Sequence, residues 1–214
     1  NHRYVKNNKD IKKLYKERES GSKLKKLGFV GRDFHENRPS GQLSIRFFKI
    51  LSLYKEHFSL FFYCKQGEPI GKIFTEIGTV KVSPCYNKLA QMIANDDIDI
   101  LVDMQGFMVN NFTDLLLQKP APIQMHWLGY PGTLGLPTID YLIADDILIP
   151  EKSQKYYREK IAYLPHLYQS NNPEFIQTDQ YVTREYFRLP TDKFIFSHFN
   201  SDYKLDRKTW FEWM

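Results

Sequence analysis

Short apolar runs alternate along this chain with segments whose apolar residues recur at helical spacing, and that alternation restricts the fold more than any other feature of the sequence. "KLGFVG" (26–31), "FSLFFYC" (58–64), "TVKVS" (79–83) and "DILVDM" (99–104) read as buried strands. So do "IQMHWLG" and "IDYLIAD" on either side of residue 130, "KIAYLP" (160–165) and "KFIFSHFN" (193–200). Between them, residues 43–54, 69–77, 87–96, 110–118 and 151–159 read as helices, and "DRKTWFEWM" starts another. Ser40 is a plausible cap for the first of these, and Asn110 or Asn111 for the fourth. Residues 1–19 read as a polar helix that ends at "SGS". Strands alternating with helices predict an α/β fold, a Rossmann-like, doubly wound parallel sheet. The irregular stretch 166–192 is the best candidate for a boundary between lobes.

Composition narrows the function classes. An apolar content of 42% with 15% aromatics supports a real core. No apolar run approaches the roughly 20 residues that span a bilayer. The net charge of +5 sits largely in "KNNKDIKKLYKERESGSKLKK", which reads as a solvated helix face and linker. No zinc-finger spacing, aromatic RNA-binding signature or repeated basic stripe accompanies it, so nucleic acid is not an expected partner. Cys64 and Cys85 lack metal-type spacing; two buried free thiols in a reducing compartment fit them better than a disulfide. The start at Asn1 and the stop at Met214, inside a helical pattern, suggest an excerpt of a longer protein.

Several familiar chemistries leave no trace. No G-x-G-x-x-G follows the first strand, no Gly-Lys-Ser/Thr phosphate loop occurs, no two histidines have zincin spacing, and no G-x-S-x-G elbow is present. What remains are polar groups at strand ends, where ligands of parallel sheets bind. They are Asp33, Asn37, Arg38 and Ser40 after the first strand, Asp103 and Gln105 after "ILV", His126, and Asn200 to Lys204. Asp33 and Asp103 also suit turn capping, His126 suits a satisfied core histidine, and Lys204 suits an ordinary exposed lysine. "PAPIQMHWLGYPGTLGLPTIDY" (120–141) places a stiff Gly- and Pro-punctuated loop at a strand end. Gly129 and Gly132 let backbone approach a ligand and Pro131 limits its freedom; a plain rigid turn would need the same residues.

Taken together, "KPAPIQMHWLGYPGTLGLPTIDYLIAD", "DIDILVDMQGF", "KLGFVGRDFHENRPSGQL", "EKIAYLPHLY" and "FIFSHFNSDYKLD" resemble the catalytic region of protein O-GlcNAc transferases and their SPINDLY-like relatives. "NHRYV" is similar to the family's His-Arg-Arg/Trp helix. The resemblance covers nearly the whole chain. It implies the N-terminal lobe of a GT-B glycosyltransferase plus the start of the second lobe: an N-terminal helix and linker over 1–22, a Rossmann-like lobe over 23–190, and the opening of a nucleotide-binding lobe over 191–214.

The implied reaction transfers N-acetylglucosamine from UDP-GlcNAc to Ser or Thr of proteins, with inversion and without metal or cofactor. The implied partners are a UDP-sugar donor, protein Ser/Thr acceptors and an upstream helical-repeat domain, in the cytoplasm or nucleus and without a membrane. Lys204 matches the lysine that supports UDP departure. Leu128, Gly129, Tyr130 and Pro131 match the loop lining the sugar pocket, and Asn200 and Ser201 take neighbouring donor-site positions. Ser201 stands where glutamine is expected. Arg38 replaces a histidine near the reacting hydroxyl. Arginine holds its proton at neutral pH, so it would bind a phosphate or an acidic acceptor instead. "GFM" (106–108) replaces the usual "GHT" or "GYT", and Glu68 falls near an expected acidic position. These departures keep two alternatives open: a non-catalytic relative acting as a scaffold, and an O-fucosyltransferase using GDP-fucose. Most of the donor site is expected beyond Met214, so the isolated chain is expected to be inactive.

Overall fold

A computed structural model describes residues 14–15, 25–173 and 183–213. The chain divides into two compact units, Asn1–Phe175 and Ile176–Met214. The expected N-terminal helix lies outside the described residues apart from Leu14 and Tyr15, whose backbone N–H groups donate to the carbonyls of Gln118 and Lys119.

The first unit is built on seven parallel strands: β1 (Lys25–Val30), β2 (Phe58–Lys65), β3 (Thr79–Ser83), β4 (Ile100–Asp103), β5 (Ile123–His126), β6 (Tyr141–Ala144) and β7 (Lys160–Tyr163). Their order is β3-β2-β1-β4-β5-β6-β7, and every neighbouring pair is parallel. Helices α1 (Pro39–Leu51), α2 (Lys72–Ile77), α3 (Tyr86–Asn95) and α4 (Thr113–Leu116) supply crossovers.

Successive side chains of a strand point to opposite faces, and here both faces are buried. Phe29, Phe62 and Val102 join Ile45 and Phe48 of α1 and Phe74 of α2 in one core layer. Val30, Tyr63 and Leu101 join Leu89 and Ile93 of α3 and Leu115 and Leu116 of α4 in the other. That is the doubly wound arrangement the apolar runs predict. The first layer is aromatic: Phe48 is fully buried and meets Phe29, Phe62 and Phe74 at centroid distances of 4.8, 5.0 and 5.8 Å. Each such ring contributes about 1.5–3 kcal/mol through burial.

Expectations for three helices and one cysteine need correction. Helix α1 starts at Pro39, with Arg38 as its N-cap and no side-chain cap, because proline at the first helical position is already pre-set for a helix and needs no donor satisfied there. Residues 110–118 form only the single turn of α4, since Asn110 sits at φ +58° outside helical space; Asn111 Oδ1 does accept the Thr113 amide, at 3.2 Å. Residues 151–156 form a 3-10 turn, and residues 157–159 lie outside it. Cys64 is buried, with its thiol pushed up to about 12 by burial, whereas Cys85 is exposed; both are free.

In the second unit, residues 193–200 are not a strand. A strand exists through its ladder partners, and among the described residues none pairs with this segment. A 3-10 turn at Asp202–Lys204 and helix α5 (Arg207–Trp213) follow it. Phe194, Phe196, Phe199 and Phe211 are exposed. Among the described residues no helix is long and apolar enough to cross a membrane.

Candidate functional site

Loops leaving the C-terminal ends of β1, β4 and β5 meet at one edge of the first unit. β1 and β4 adjoin where the strand order reverses, so their following segments diverge and leave a crevice.

The loop after β5 is the most constrained of the three. Gly129 N–H donates to the Trp127 carbonyl at 3.0 Å across Leu128, which has φ +74°. This is a γ-turn with its central residue in the left-handed region, a strained form rarely occupied by a branched side chain. Leu128 is nonetheless buried, packed with Trp127 and Met104. At Gly129 a Cβ would lie 2.2 Å from the Met104 carbonyl oxygen, so only glycine fits. Tyr130 is half-buried against Phe107, with ring centroids 5.9 Å apart, and Pro131 is exposed.

Beneath the turn lies His126, which is buried. Its Nε2 is 3.0 Å from the Gly132 carbonyl. A carbonyl only accepts, so Nε2 carries the proton. Nδ1 is then an acceptor, buried and without a partner among the described residues. Burial holds the ring below its usual value, opposed by the Gly132 bond and by Glu159.

The loop after β4 is organised by Asp103. Its fully buried carboxylate accepts the amides of Gln105 at 3.0 Å and Gly106 at 2.9 Å. Burial raises it to about 6 against the pull of those two amides. Gln105 Nε2 donates in turn to the Val109 carbonyl at 3.1 Å.

Glu68 pairs with Arg32, Oε1 to Nε 2.5 Å, and Arg32 Nη1 donates to the Val109 carbonyl at 3.2 Å. One guanidinium therefore ties the segments after β1, β2 and β4. The pair raises the Arg32 value, with the Glu68 hydrogen bond as largest cause. Arg38 is exposed at the start of α1, with its backbone N–H donating to the His35 carbonyl at 3.0 Å. His35 Nδ1 accepts the Asn37 amide at 3.0 Å.

The remaining candidates belong to the second unit. Lys204 is exposed in its 3-10 turn, its backbone N–H donating to Ser201 O at 3.0 Å. Asn200 Oδ1 accepts the Ser201 amide at 2.9 Å. Sequence reasoning missed Arg32 and Glu159. Glu159 is buried and grips Thr133, Leu134 and Gly135; both residues lie within the quoted motifs, but nothing local marks their pairings, because their partners lie 24 or more positions away. Among the described residues no three His, Cys, Asp or Glu side chains could together hold a metal ion.

Residues 6–172 match the family described as Glycosyl transferase family 41. The chain belongs to glycosyl transferase family 41. Across family 41 the curated relatives include a probable UDP-N-acetylglucosamine–peptide N-acetylglucosaminyltransferase SEC of Arabidopsis thaliana. It is 30% identical over 204 residues, covering 88% of this chain and 20% of the relative. A UDP-N-acetylglucosamine–peptide N-acetylglucosaminyltransferase of Caenorhabditis elegans is 41% identical over 85 residues, covering 40% of this chain and 7% of the relative. The chain thus spans a fifth or less of these relatives' lengths. Among solved structures, a mutant O-GlcNAc transferase of Thermobaculum terrenum superposes with a TM-score of 0.60 at 22% identity, over 69% of this chain and 29% of that one. That likeness establishes the α/β fold of a GT-B lobe.

Proposed function

We propose that the family 41 protein carrying this chain transfers N-acetylglucosamine from UDP-GlcNAc to Ser or Thr hydroxyls of proteins, and that this chain supplies the lobe facing the sugar and acceptor. The observation that carries the reading is the strained turn at Leu128. Backbone strain held in place by surrounding packing concentrates at ligand sites, and this turn stands at the C-terminal edge of a parallel sheet. The names of the curated relatives supply the donor and the acceptor class.

In this reading Leu128, Gly129, Tyr130 and Pro131 form a preorganised wall for the sugar, which needs little ordering when the donor binds. The acceptor oxygen attacks the anomeric carbon from the face opposite UDP. UDP leaves with the bonding pair, the hydroxyl proton passes to a base, and the configuration inverts. Lys204 is assigned the role of offsetting the charge that grows on the departing diphosphate, and no metal is assigned one. Asn200 and Ser201 flank that position. Arg38 takes a phosphate or an acidic acceptor side chain, and Glu68 fixes Arg32 at the rim. The domain boundaries at 22 and 190, an upstream helical-repeat domain and a cytoplasmic or nuclear location belong to the same reading.

Arg38 favours a second reading. An always-charged side chain stands where the family pattern has histidine, and Nδ1 of the nearby His35 is engaged by the Asn37 amide. A protein that retained the fold as a scaffold, or a GDP-fucose transferase, would tolerate both. In the full-length protein, Lys204→Met is expected to lower turnover of UDP-GlcNAc by on the order of a hundredfold. Unchanged turnover removes Lys204 from the mechanism. Absence of turnover in the wild type, with Arg38→His restoring it, selects the scaffold reading. Turnover of GDP-fucose in place of UDP-GlcNAc selects the third.

A further inference from the structure

Resting on the reading of Leu128–Pro131 as the sugar wall, we propose that Glu159 is a positioning residue for that wall, acting on it from the opposite edge of the sheet. Glu159 immediately precedes β7 and is 4% exposed. Its Oε2 accepts the Thr133 hydroxyl at 2.5 Å, and its Oε1 accepts the amides of Leu134 at 2.8 Å and Gly135 at 3.0 Å. Thr133 Oγ1 also accepts the Gly135 amide, at 3.0 Å. A buried carboxylate is costly unless hydrogen-bonded, and all three donors here come from one loop.

The topology explains why this grip reaches the wall. β5 and β6 are parallel neighbours, so the loop joining them must return from the C-terminal edge to the N-terminal edge. Its upper end is fixed by the Leu128 turn and the close approach of Gly129 to Met104. Its descending limb is fixed by Glu159. Only Tyr130, Pro131 and Gly132 lie between the two anchors, with the Gly132 carbonyl further held by His126. Pro131 has a fixed φ. A short, stiff span between two fixed ends has one path, and releasing the lower end gives Tyr130 and Pro131 others.

Loss of the clamp should therefore act on donor affinity through the fraction of molecules whose wall is in place. In the full-length protein, Glu159→Ala removes all three bonds. Glu159→Gln keeps an acceptor for Leu134 and Gly135 and turns its amide toward Thr133 Oγ1. The experiment measures KM and kcat with UDP-GlcNAc, together with amide hydrogen exchange. Glu159→Ala is expected to raise KM about tenfold with kcat changed less than threefold, and to speed exchange within residues 128–135 alone; Glu159→Gln is expected to recover most of both. An unchanged KM in Glu159→Ala, or faster exchange spread across the whole sheet, overturns the proposal. A wild type that neither binds nor turns over UDP-GlcNAc defeats the functional reading instead. The exchange pattern then decides the clamp: confinement to 128–135 upholds it, and uniform or absent change refutes it.

Discussion

Gly106 lies so close against Tyr130 that a Cβ on the glycine would sit 2.4 Å from the tyrosine Cβ. Gly106 also has φ +60°, a conformation unfavourable for any larger residue. The loops after β4 and β5 are thus nested. Gly106→Ala should cost about 1–3 kcal/mol of stability and displace Tyr130, weakening UDP-GlcNAc binding in the full-length protein. Urea unfolding and donor titration measure the two effects. If neither moves, the loops slide freely and the wall is not rigid.

Asp103 gives a pH signature. Its folded value is about 6, against an ordinary 3.8. Between those values the folded chain keeps a proton that the unfolded chain has lost. Its contribution is therefore fully present below about pH 4 and declines as pH rises through about 6. Asp103→Asn removes the titration, so the variant should gain on the wild type by on the order of 3 kcal/mol between pH 4 and pH 7. Unfolding free energies across that range test it; a difference that stays level with pH contradicts it.

His126 works in the opposite direction. Burial lowers its value beneath the ordinary 6.5, so the unfolded chain takes up a proton first as pH falls. Its contribution is complete above pH 6.5 and is lost as pH drops through and below it. His126→Gln keeps a donor for the Gly132 carbonyl and does not titrate. Thermal unfolding from pH 8 to pH 5 should show the wild type losing ground to this variant, and parallel curves would rule the mechanism out.

Lys119 is a buried cation just before β5. Its Nζ donates to the Thr138 carbonyl at 2.8 Å and to Asp140 at 2.5 Å, and Asp140 also accepts the Gln124 amide at 2.8 Å. Removing one partner of a buried pair typically costs 3–5 kcal/mol. The Asp140 side chain is 37% exposed, so roughly 3 kcal/mol is expected for Lys119→Met. Chemical denaturation measures it, and a cost below about 1 kcal/mol would mean that solvent already screens the pair.

The strands were legible because both of their faces are buried. "FSLFFYC" and "DILVDM" are apolar almost throughout, and such runs have few alternatives in a doubly wound sheet. The segment 193–200 has the same pattern and forms no strand, since pattern specifies a tendency and a ladder needs neighbours. Helix ends were harder: Pro39 starts α1 through its own ring, and Asn110 steps out of helical space, both one-residue effects. At the site, glycine and proline spacing exposed the loop after β5. Arg32 with Glu68 and Glu159 with Thr133 stayed hidden, because a carboxylate's partner across 26 or 36 positions leaves no local mark in a single chain.

The outermost strand of a sheet is commonly where a fold is trimmed or extended with least harm. In this lobe that margin is not expendable. Glu159 stands at the root of β7 and reaches inward past β6, so a shortened lobe that stopped after β6 would keep six strands and both aromatic and aliphatic layers. Those layers would remain in its sequence, and yet the turn on its far rim would have lost its lower mooring. The smallest piece that keeps both core layers and the smallest piece that keeps the loop after β5 anchored at both ends would then be different lengths of the same chain.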